Sequence, residues 1–282
     1  MNKAKIAWIT DTTASLSKEF IEQHDIHVVP LNIVIDQTSY KETIDITQKE
    51  FYERMKQEDS KFQTSQPALG DFVKLYTKLK EHYDFGIAIH ASSLLSGTYQ
   101  TSVMAAEMAD FKLVPIDSMT GSYPLSYLLK KGIELVEKGH EISEIVEELN
   151  CLREDTRLYL VPSNLDQLKK SGRVSGGQAI LASLFNIKPI LAIEEGGAKI
   201  KDKVRTKKKA LSWLINNLKT DLATKSVKKA AIVHANDIDR ASELEKLVNE
   251  TFPDIETEKM MLITVAGVHT GVGTLGLSWV GE

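Results

Sequence analysis

The feature that most constrains the fold of this chain is an alternation of short apolar runs with longer, helically patterned segments. Ile6–Ile9, Phe85–His90 and Ala230–His234 have the length and composition of buried strands. Between such runs, residues 69–79 and 207–222 place apolar side chains at helical spacing. Strands that alternate with helices along a chain indicate an α/β architecture.

The same reasoning predicts the remaining elements. Further strands are predicted over His27–Ile35, Leu113–Ile116, Leu158–Val161, Ile187–Ile193, Met260–Val265 and Leu277–Val280. Further helices are predicted through Leu16, Phe20 and Ile21, through Phe51 and Met55 after the capping box of Thr47 and Glu50, and over Tyr99–Met108, Pro124–Lys138, Leu165–Lys170 and Asp237–Phe252. A length of 282 residues suits two domains. We place their boundary near residues 154–157, which gives α/β domains over residues 1–156 and 157–282.

Composition and charge exclude several classes of protein. The 35 Lys and Arg residues against 39 Asp and Glu residues give a net charge of −4, which argues against a dedicated nucleic-acid binder. The single cysteine, Cys151, excludes an internal disulfide and fits a reducing cytoplasm. The N-terminus lacks the apolar stretch of a signal peptide, and no apolar run reaches the ~20 residues of a membrane span. The scattered histidines show no metal-binding spacing, so we expect neither a metal nor a cofactor.

Hydroxyl side chains cluster where several predicted strands end. Ser92–Thr98 follows one strand and contains Ser93, Ser96 and Gly97. Ligands of α/β proteins bind outside the carboxyl ends of strands, and the start of a helix offers free N–H groups to an anion. Each hydroxyl is equally suited to be a helix cap, so the sequence leaves a ligand site and simple capping both open. Thr64 and Ser65 are interpreted in the same two ways, as part of a second helix start before Pro67.

A glycine-rich stretch near the C-terminus, residues 266–276, predicts a loop that passes close to another group. It lacks the Gly-Lys-Ser/Thr of a phosphate-binding loop and is too near the C-terminus for a dinucleotide fingerprint. His269 within it suits a hydrogen-bond donor to an anion, a general base or a satisfied polar residue. A hydrolase built from Ser96, His269 and Asp117 is therefore the alternative function, although no Gly-x-Ser-x-Gly turn is present.

Taken together, these segments resemble the DegV family of bacterial fatty-acid-binding proteins. The similarity spans nearly the whole chain, and it rests on the order and spacing of eight short motifs. These motifs are Asp11-Thr12-Thr13, Thr64-Ser65-Gln66-Pro67, Ser92-Ser93-Leu94-Leu95-Ser96-Gly97-Thr98-Tyr99, Asp117-Ser118, Ser171-Gly172-Arg173, Lys188-Pro189-Ile190, Val204-Arg205-Thr206 and His269-Thr270-Gly271.

The resemblance implies two α/β domains with a fatty acid in a tunnel between them. It also implies a cytoplasmic carrier, itself not an enzyme, that presents the fatty acid to a separate kinase. That kinase would form the acyl phosphate used in phospholipid synthesis. The expected ligand is a long-chain fatty acid such as palmitate, stearate or oleate. The basic run that begins at Arg205 also allows transient contact with an anionic membrane.

Individual residues acquire expected roles from the same resemblance. Thr64 and Ser96 would bind the carboxylate, with His269 beside it and with Ser65, Ser93 and Gly97 completing the site. Arg173 and Arg205 would belong to the surface that meets the kinase. The candidate tunnel-wall residues, Ile33, Leu95, Leu184, Phe185 and Leu191, are equally suited to an ordinary core.

The physical chemistry of a fatty acid agrees with this interpretation. Burying ~14 methylenes at ~0.8 kcal/mol each gives a gross gain of roughly 11 kcal/mol, so the tail can supply the affinity. The head group then needs only enough hydrogen bonds to avoid an unsatisfied buried carboxylate. Leu94, Tyr123 and Pro124 depart from the usual family pattern, and we expect them to affect the acyl preference more than the fold.

Overall fold

The protein is described here by a computed structural model that covers residues 4–57, 60–163, 165–175 and 187–282. The strands in these ranges are β1 (Ile6–Asp11), β2 (Ile26–Val29), β3 (Asn32–Ile35), β4 (Thr38–Lys41), β5 (Phe62–Ser65), β6 (Phe85–His90), β7 (Leu113–Asp117), β8 (Thr156–Val161), β9 (Lys188–Glu194), β10 (Gly197–Val204), β11 (Lys229–His234), β12 (Glu256–Met261) and β13 (Leu275–Val280). The α-helices are α1 (Lys18–Gln23), α2 (Gln48–Met55), α3 (Leu69–Leu79), α4 (Thr98–Ala109), α5 (Ser122–Glu137), α6 (Ile142–Glu154), α7 (Leu165–Ser171), α8 (Lys207–Leu222), α9 (Ile238–Thr251) and α10 (Thr264–Thr270). The α/β class predicted from the sequence is confirmed.

Three sheets organise the fold. A parallel sheet has the order β2-β1-β6-β7, and its central strands are almost wholly buried. A small antiparallel sheet has the order β4-β3-β5. A mixed sheet has the order β10-β9-β8-β13-β11-β12, and within it only β11 and β12 pair in parallel. Helices complete the hydrophobic packing around these sheets.

Most of the predicted elements agree with the structure to within a few residues. The capping box before α2 is present, because the Thr47 hydroxyl accepts from the Glu50 N–H while Glu50 accepts from the Thr47 N–H. The predicted bounds of β6 and α8 coincide with the observed ones. The turn at residues 194–197, with the sequence Glu-Glu-Gly-Gly, joins β9 to β10, so this segment is a hairpin. Gly176 and Gly177, which interrupt the regular patterns of the sequence, lie outside the described residues.

Two predicted strands are wrong. The run His27–Ile35 is two strands, since Pro30 interrupts it and β2 and β3 belong to different sheets. The run Met260–Val265 is the end of β12 followed by the start of α10, so residues 264–270 are a helix and not a glycine-rich loop. A short, continuously apolar run does not distinguish a strand from a buried helix, which is why the second prediction failed.

Several elements were not predicted at all. Helix α6 repeats apolar residues at helical spacing, with Ile145, Leu149 and Leu152 buried, but it begins only a few residues after the end of the predicted helix Pro124–Lys138. Strands β4 and β5 carry few apolar residues and were also missed. Thr64 and Ser65 consequently end a strand, whereas the sequence suggested a helix start. Pro67 precedes α3, whose cap is Ala68.

The strands divide where a domain boundary was predicted. Every described strand of the mixed sheet lies within residues 156–280, and every strand of the other two sheets lies within residues 6–117. Helix α5 nevertheless packs against β6 and also against β8 and β13. One buried hydrophobic cluster includes both Ile33 and Leu191. The division into domains over residues 1–156 and 157–282 therefore stays a prediction.

A buried carboxyl group joins the two halves of the chain. The side chain of Glu42, which is fully buried, bonds the hydroxyl of Thr12 on one oxygen and that of Thr264 on the other. The N–H of Val265 donates to the same carboxyl at 3.2 Å. Burial raises the pKa of Glu42 above its usual range, and these hydrogen bonds offset part of that effect. The start of α10 is thereby attached to the N-terminal half.

Helix α10 is also held by close packing against α2. The hydroxyl of Tyr52 donates to the carbonyl of Leu262 at 2.8 Å. A Cβ on Gly267 would overlap the Tyr52 ring and hydroxyl, so glycine at this position permits the helix to approach. Gly267 therefore serves packing inside a helix, whereas the sequence suggested that it opens a loop.

We predict that Glu42 makes stability depend on pH in a defined direction. Because folding raises the pKa of Glu42, its contribution is fully present below the pKa of the unfolded chain and is lost as pH rises through the folded value. Each unit of difference corresponds to about 1.4 kcal/mol. Urea unfolding of the wild type and of Glu42→Gln, from about pH 5 to about pH 8, should show the variant gaining stability relative to the wild type. A difference that does not change with pH would contradict this prediction.

Candidate functional site

A cavity of about 300 Å³ lies between residues of the two halves of the chain. Its polar lining consists of hydroxyl and amide side chains together with His269 and Arg173. The other lining residues are mostly apolar and come largely from β8, β9, α7 and the segment that leads into α10; they include Leu158, Leu160, Leu168, Leu191, Ile193, Leu262, Ile263 and Val265. A cavity whose surface is mostly apolar but that also offers polar side chains suits an amphipathic ligand.

Two polar side chains of the cavity, Thr64 and His269, are brought together by separate elements. Thr64 is placed by the pairing of β5 with β3, in which it lies opposite Ile33. His269 lies in the last turn of α10. The Thr64 hydroxyl and the Nε2 atom of His269 are 2.9 Å apart, although the two residues are separated by 205 positions in sequence. The pairing of Thr64 with His269 therefore exists only in the folded chain.

Ser96 lies in the turn that leads into α4. Its hydroxyl is 2.8 Å from that of Thr98 and accepts weakly from the Thr98 N–H, as in a cap. Gly97 follows at the helix N-cap, where a Cβ would overlap the side chain of Gln66. Gln66 in turn donates to the hydroxyl of Thr101 at 3.0 Å. Glycine here permits the Gln66 side chain to lie against the start of α4, at the cavity.

His269 is neutral at physiological pH. Burial, and to a lesser extent the nearby positive charge of Arg173, together lower its pKa to about 4. A neutral imidazole has one N–H donor and one acceptor nitrogen. With one nitrogen at Thr64, His269 can orient that hydroxyl and offer a hydrogen bond without adding a full charge to the cavity.

The structure places most of the predicted site residues at this cavity. Thr64, Ser65, Ser96, Gly97 and His269 all line it. Their roles toward a ligand stay predictions.

Three other predicted residues are placed differently. Ser93 is not among the lining residues, and its N–H lies 3.3 Å from both carboxylate oxygens of Asp117. Arg173, expected only at a docking surface, lines the cavity and donates to the carbonyl of Ser171 at 2.7 Å. Arg205 is exposed and lies between β10 and α8, away from the lining residues.

Some of the candidate tunnel-wall residues line the cavity and others do not. Leu95 and Leu191 line the cavity, whereas Ile33 is buried in the adjoining core. Leu184 and Phe185 lie outside the described residues.

The family departures noted in the sequence are not in the wall. Leu94 is 68% exposed, and Tyr123 and Pro124 are buried in the first turn of α5 without lining the cavity. Within the described residues, they do not narrow the cavity.

Sequence reasoning missed several lining residues. Thr13, Thr120 and Ser122 contribute polar groups, and Ala198 and Val174 contribute apolar ones. Thr13 belongs to a motif that had been recognised, but the sequence did not show which of its three residues faces the cavity. Asp11 of that motif is instead buried in the parallel sheet.

Asp11 belongs to a second polar network. Its carboxylate lies 3.1 Å from Nδ1 of His90, whose Nε2 lies 2.9 Å from the hydroxyl of Ser102. That hydroxyl also contacts the hydroxyl of Tyr76. Burial acts to raise the pKa of Asp11, but the hydrogen bond and charge of His90 outweigh it and hold the pKa below its usual range. Asp11, His90, Ser102 and Tyr76 are fully buried, so this network serves the core.

The hydrolase alternative finds no support in these contacts. The Ser96 hydroxyl is bonded to Thr98, and Nε2 of His269 is bonded to Thr64. Asp117 accepts from the N–H groups of Met119 and Ser93. A nucleophile, a base and an orienting acid need to be hydrogen-bonded in sequence, and these three residues are not.

Among the described residues, no group of three or more His, Cys, Asp and Glu side chains is arranged to hold a metal ion. None of the described helices combines the length and apolar character needed to cross a membrane.

The sequence matches a known family along almost its entire length. The family described as "Uncharacterised protein, DegV family" matches residues 5–282. The chain belongs to the DegV family. A DegV domain-containing protein of Staphylococcus aureus is 37% identical over 269 residues, which cover 95% of this chain and 96% of the relative. DegV of Bacillus subtilis is 35% identical over 276 residues, which cover 97% of this chain and 98% of the relative.

Solved structures of DegV proteins have the same fold. The crystal structure of DegV from Bacillus subtilis, described as a fatty acid binding protein, superposes with a TM-score of 0.91 at 34% identity over 99% of this chain and 100% of that chain. A DegV family protein from Thermus thermophilus, described by its fatty acid binding, gives 0.90 at 28% identity over 99% and 100%. The α/β fold class expected from the DegV resemblance is thus confirmed.

We predict that His269 titrates far below an ordinary histidine. Its ring nitrogen signals in NMR spectra should move with a midpoint at about pH 4, because protonation would bury a positive charge beside Arg173. In Arg173→Gln the midpoint should rise only in part toward that of an ordinary histidine. Burial remains in this variant, and burial is the larger of the two causes that lower the pKa of His269. A wild-type midpoint near the ordinary value of about 6.5 would show that the imidazole is hydrated and not buried.

Proposed function

We propose that this protein binds a long-chain fatty acid in the cavity, with the carboxylate at Thr64, Ser96 and His269. The observation that carries the proposal is the contact between Thr64 and neutral His269 in the lining of a cavity whose surface is mostly apolar. It is supported by the family, because the similar proteins of Bacillus subtilis and Thermus thermophilus are described as binding fatty acids. The proposed ligand is a fatty acid such as palmitate, stearate or oleate.

The head-group end offers hydrogen bonds without a tightly bound counter-ion. The hydroxyls of Thr64 and Ser96, the backbone near Gly97 and the His269 imidazole are all neutral groups. Arg173 lies at the same cavity but is exposed, so solvent screens its attraction for a carboxylate. A carboxylate held by neutral donors keeps more of its nucleophilic character than one clamped by a bidentate arginine. Binding of the carboxylate by neutral donors therefore suits a carrier that must offer this group for reaction.

The tail end supplies most of the binding free energy. Leucine, isoleucine and valine side chains from both sides of the cavity replace water around the acyl chain. Each buried methylene contributes about 0.8 kcal/mol before the loss of ligand motion is subtracted. The affinity should therefore depend mainly on the number of buried methylenes in the tail, whereas the hydrogen bonds of the head group should set the orientation of the ligand.

We predict that Thr64→Val, Ser96→Ala and His269→Gln each weaken fatty-acid binding. Removing one hydrogen bond to a buried carboxylate costs about 1–3 kcal/mol, which is roughly a fivefold to hundredfold rise in Kd. The measurement is competition for a fluorescent fatty acid after bound lipid has been stripped from the purified protein. Ser93→Ala is a matched control, since Ser93 belongs to the same hydroxyl cluster but does not line the cavity. Undiminished affinity in all three site variants would contradict the placement of the carboxylate.

We further propose that the bound fatty acid is presented to a separate kinase that forms an acyl phosphate for phospholipid synthesis. The protein itself then acts as a carrier without catalysis, as a cytoplasmic protein with two α/β domains and the ligand between them. Support comes from the neutral head-group site and from the two arginines, one at the cavity and one on the surface. An exposed free thiol at Cys151 is compatible with the reducing cytoplasm.

Arg205 offers a way to separate presentation from binding. It is exposed and does not line the cavity, so Arg205→Glu should leave the Kd for palmitate unchanged. Reversing its charge should raise the KM of the kinase for the loaded carrier by roughly tenfold, because a like charge now faces the partner. The measurement is acyl-phosphate formation with purified kinase, with Lys219→Glu on α8 as a charge-matched control. Equal KM values for the wild type and Arg205→Glu would remove Arg205 from the docking surface.

A further inference from the structure

A second cavity, of about 570 Å³, adjoins the proposed fatty-acid cavity. It is bounded by the segment after β1, by α1, by β2 and by the end of β12. Ile263 lines this second cavity and also lines the first. The side chain of Ile263 therefore stands between the two cavities.

Ile263 is fixed in this position by the start of α10. It is the N-cap residue of that helix and is only 4% exposed. The next residue, Thr264, is bonded to buried Glu42, and the preceding Leu262 donates its N–H to the carbonyl of His234. Restraints on both sides leave the backbone at Ile263 little freedom to move.

The same helix relates Ile263 to the head-group site. Ile263, Ala266 and His269 recur every three residues, and all three line the first cavity. With a rise of about 1.5 Å per residue, Ile263 lies roughly 9 Å along the helix from His269. An acyl chain that starts at His269 and follows α10 reaches Ile263 part-way along its length.

The second cavity is suited to hydrocarbon beyond Ile263. Its walls include Leu16, Ile21, Val28, Met260 and Met261. Its polar lining residues are four small hydroxyl residues, Gln48 and the charged Asp11, Lys18 and Lys259, but most of the lining surface is apolar. Methionine side chains adapt their shape to irregular apolar ligands.

We propose that Ile263 confines the acyl chain to the first cavity, and that the second cavity accepts the distal methylenes of a longer chain once this side chain is shortened. Ile263 is then a specificity-determining residue, and the second cavity is a latent acyl subsite. The inference rests on the proposed function, because it presupposes that the first cavity holds a fatty acid.

The test is the ratio of the dissociation constants for palmitate and arachidate, measured by competition with a fluorescent fatty acid. Each additional buried methylene contributes about a fourfold gain in affinity. In Ile263→Ala the preference for arachidate over palmitate should rise by about tenfold or more relative to the wild type. Ile263→Val should shift the ratio in the same direction by less, and it also serves if the alanine variant does not fold.

Two control variants test whether the effect of Ile263→Ala comes from joining the two cavities or only from enlarging one of them. Leu191→Ala removes similar volume from the first cavity alone, and Met261→Ala removes it from the second alone. Neither should favour arachidate as Ile263→Ala does. Filling the second cavity with Val28→Phe in the Ile263→Ala background should restore the wild-type ratio, because Val28 lines only that cavity.

The possible outcomes are distinct. A wild type that binds fatty acids, with a ratio unchanged in both Ile263 variants, overturns the role of Ile263 and leaves the proposed function standing. An equal shift in Leu191→Ala also overturns it, since volume alone would then explain the effect. If neither the wild type nor any variant binds a fatty acid, the proposed function fails and this inference fails with it.

Discussion

The buried carboxyl of Glu42 is the contact on which the placement of the site depends. It bonds Thr12 at the end of β1 and, on its other oxygen, Thr264 at the start of α10. Helix α10 belongs to the C-terminal half in sequence, yet these bonds and the packing of Tyr52 against Gly267 attach it to the N-terminal half. An unpartnered carboxyl at this depth would be strongly destabilising, so its three donors are required for the fold as well as for the site.

Because α10 is attached in this way, one short helix contributes lining residues to the cavity at both its start and its last turn. Its last turn carries His269 to Thr64, and its first residues carry Ile263 to the wall between the two cavities. The proposed head-group contact at His269 and the proposed partition at Ile263 are thereby held at a fixed separation. A rigid helix is better suited to this than a loop, because the distance between head group and partition then does not vary with loop motion.

The protein uses similar polar side chains for two different purposes. Asp11, His90 and Ser102 form a satisfied, fully buried network at the parallel sheet, and none of the three lines the proposed fatty-acid cavity. Thr64 and His269 form a smaller pair at a cavity surface, where a ligand can add to their hydrogen bonds. In a buried network each partner is saturated by the protein, whereas a binding site must leave capacity for the ligand. That difference separates the structural motif from the candidate site.

The sequence determined the α/β class, the positions of most helices and strands, and seven of the residues that line the cavity, namely five ligand-site candidates and the wall candidates Leu95 and Leu191. Local patterns carry this information, because a capping box such as Thr47 with Glu50, or the apolar spacing along α8, acts within a few residues. Only the tertiary structure decided that Arg173 lies at the cavity, that Ser93 does not, and that residues 264–270 form a helix. It alone paired Thr64 with His269 and set Ile263 between two cavities. These outcomes depend on contacts between distant segments, such as the one made by Glu42, and no local pattern in the sequence specifies which distant segments meet.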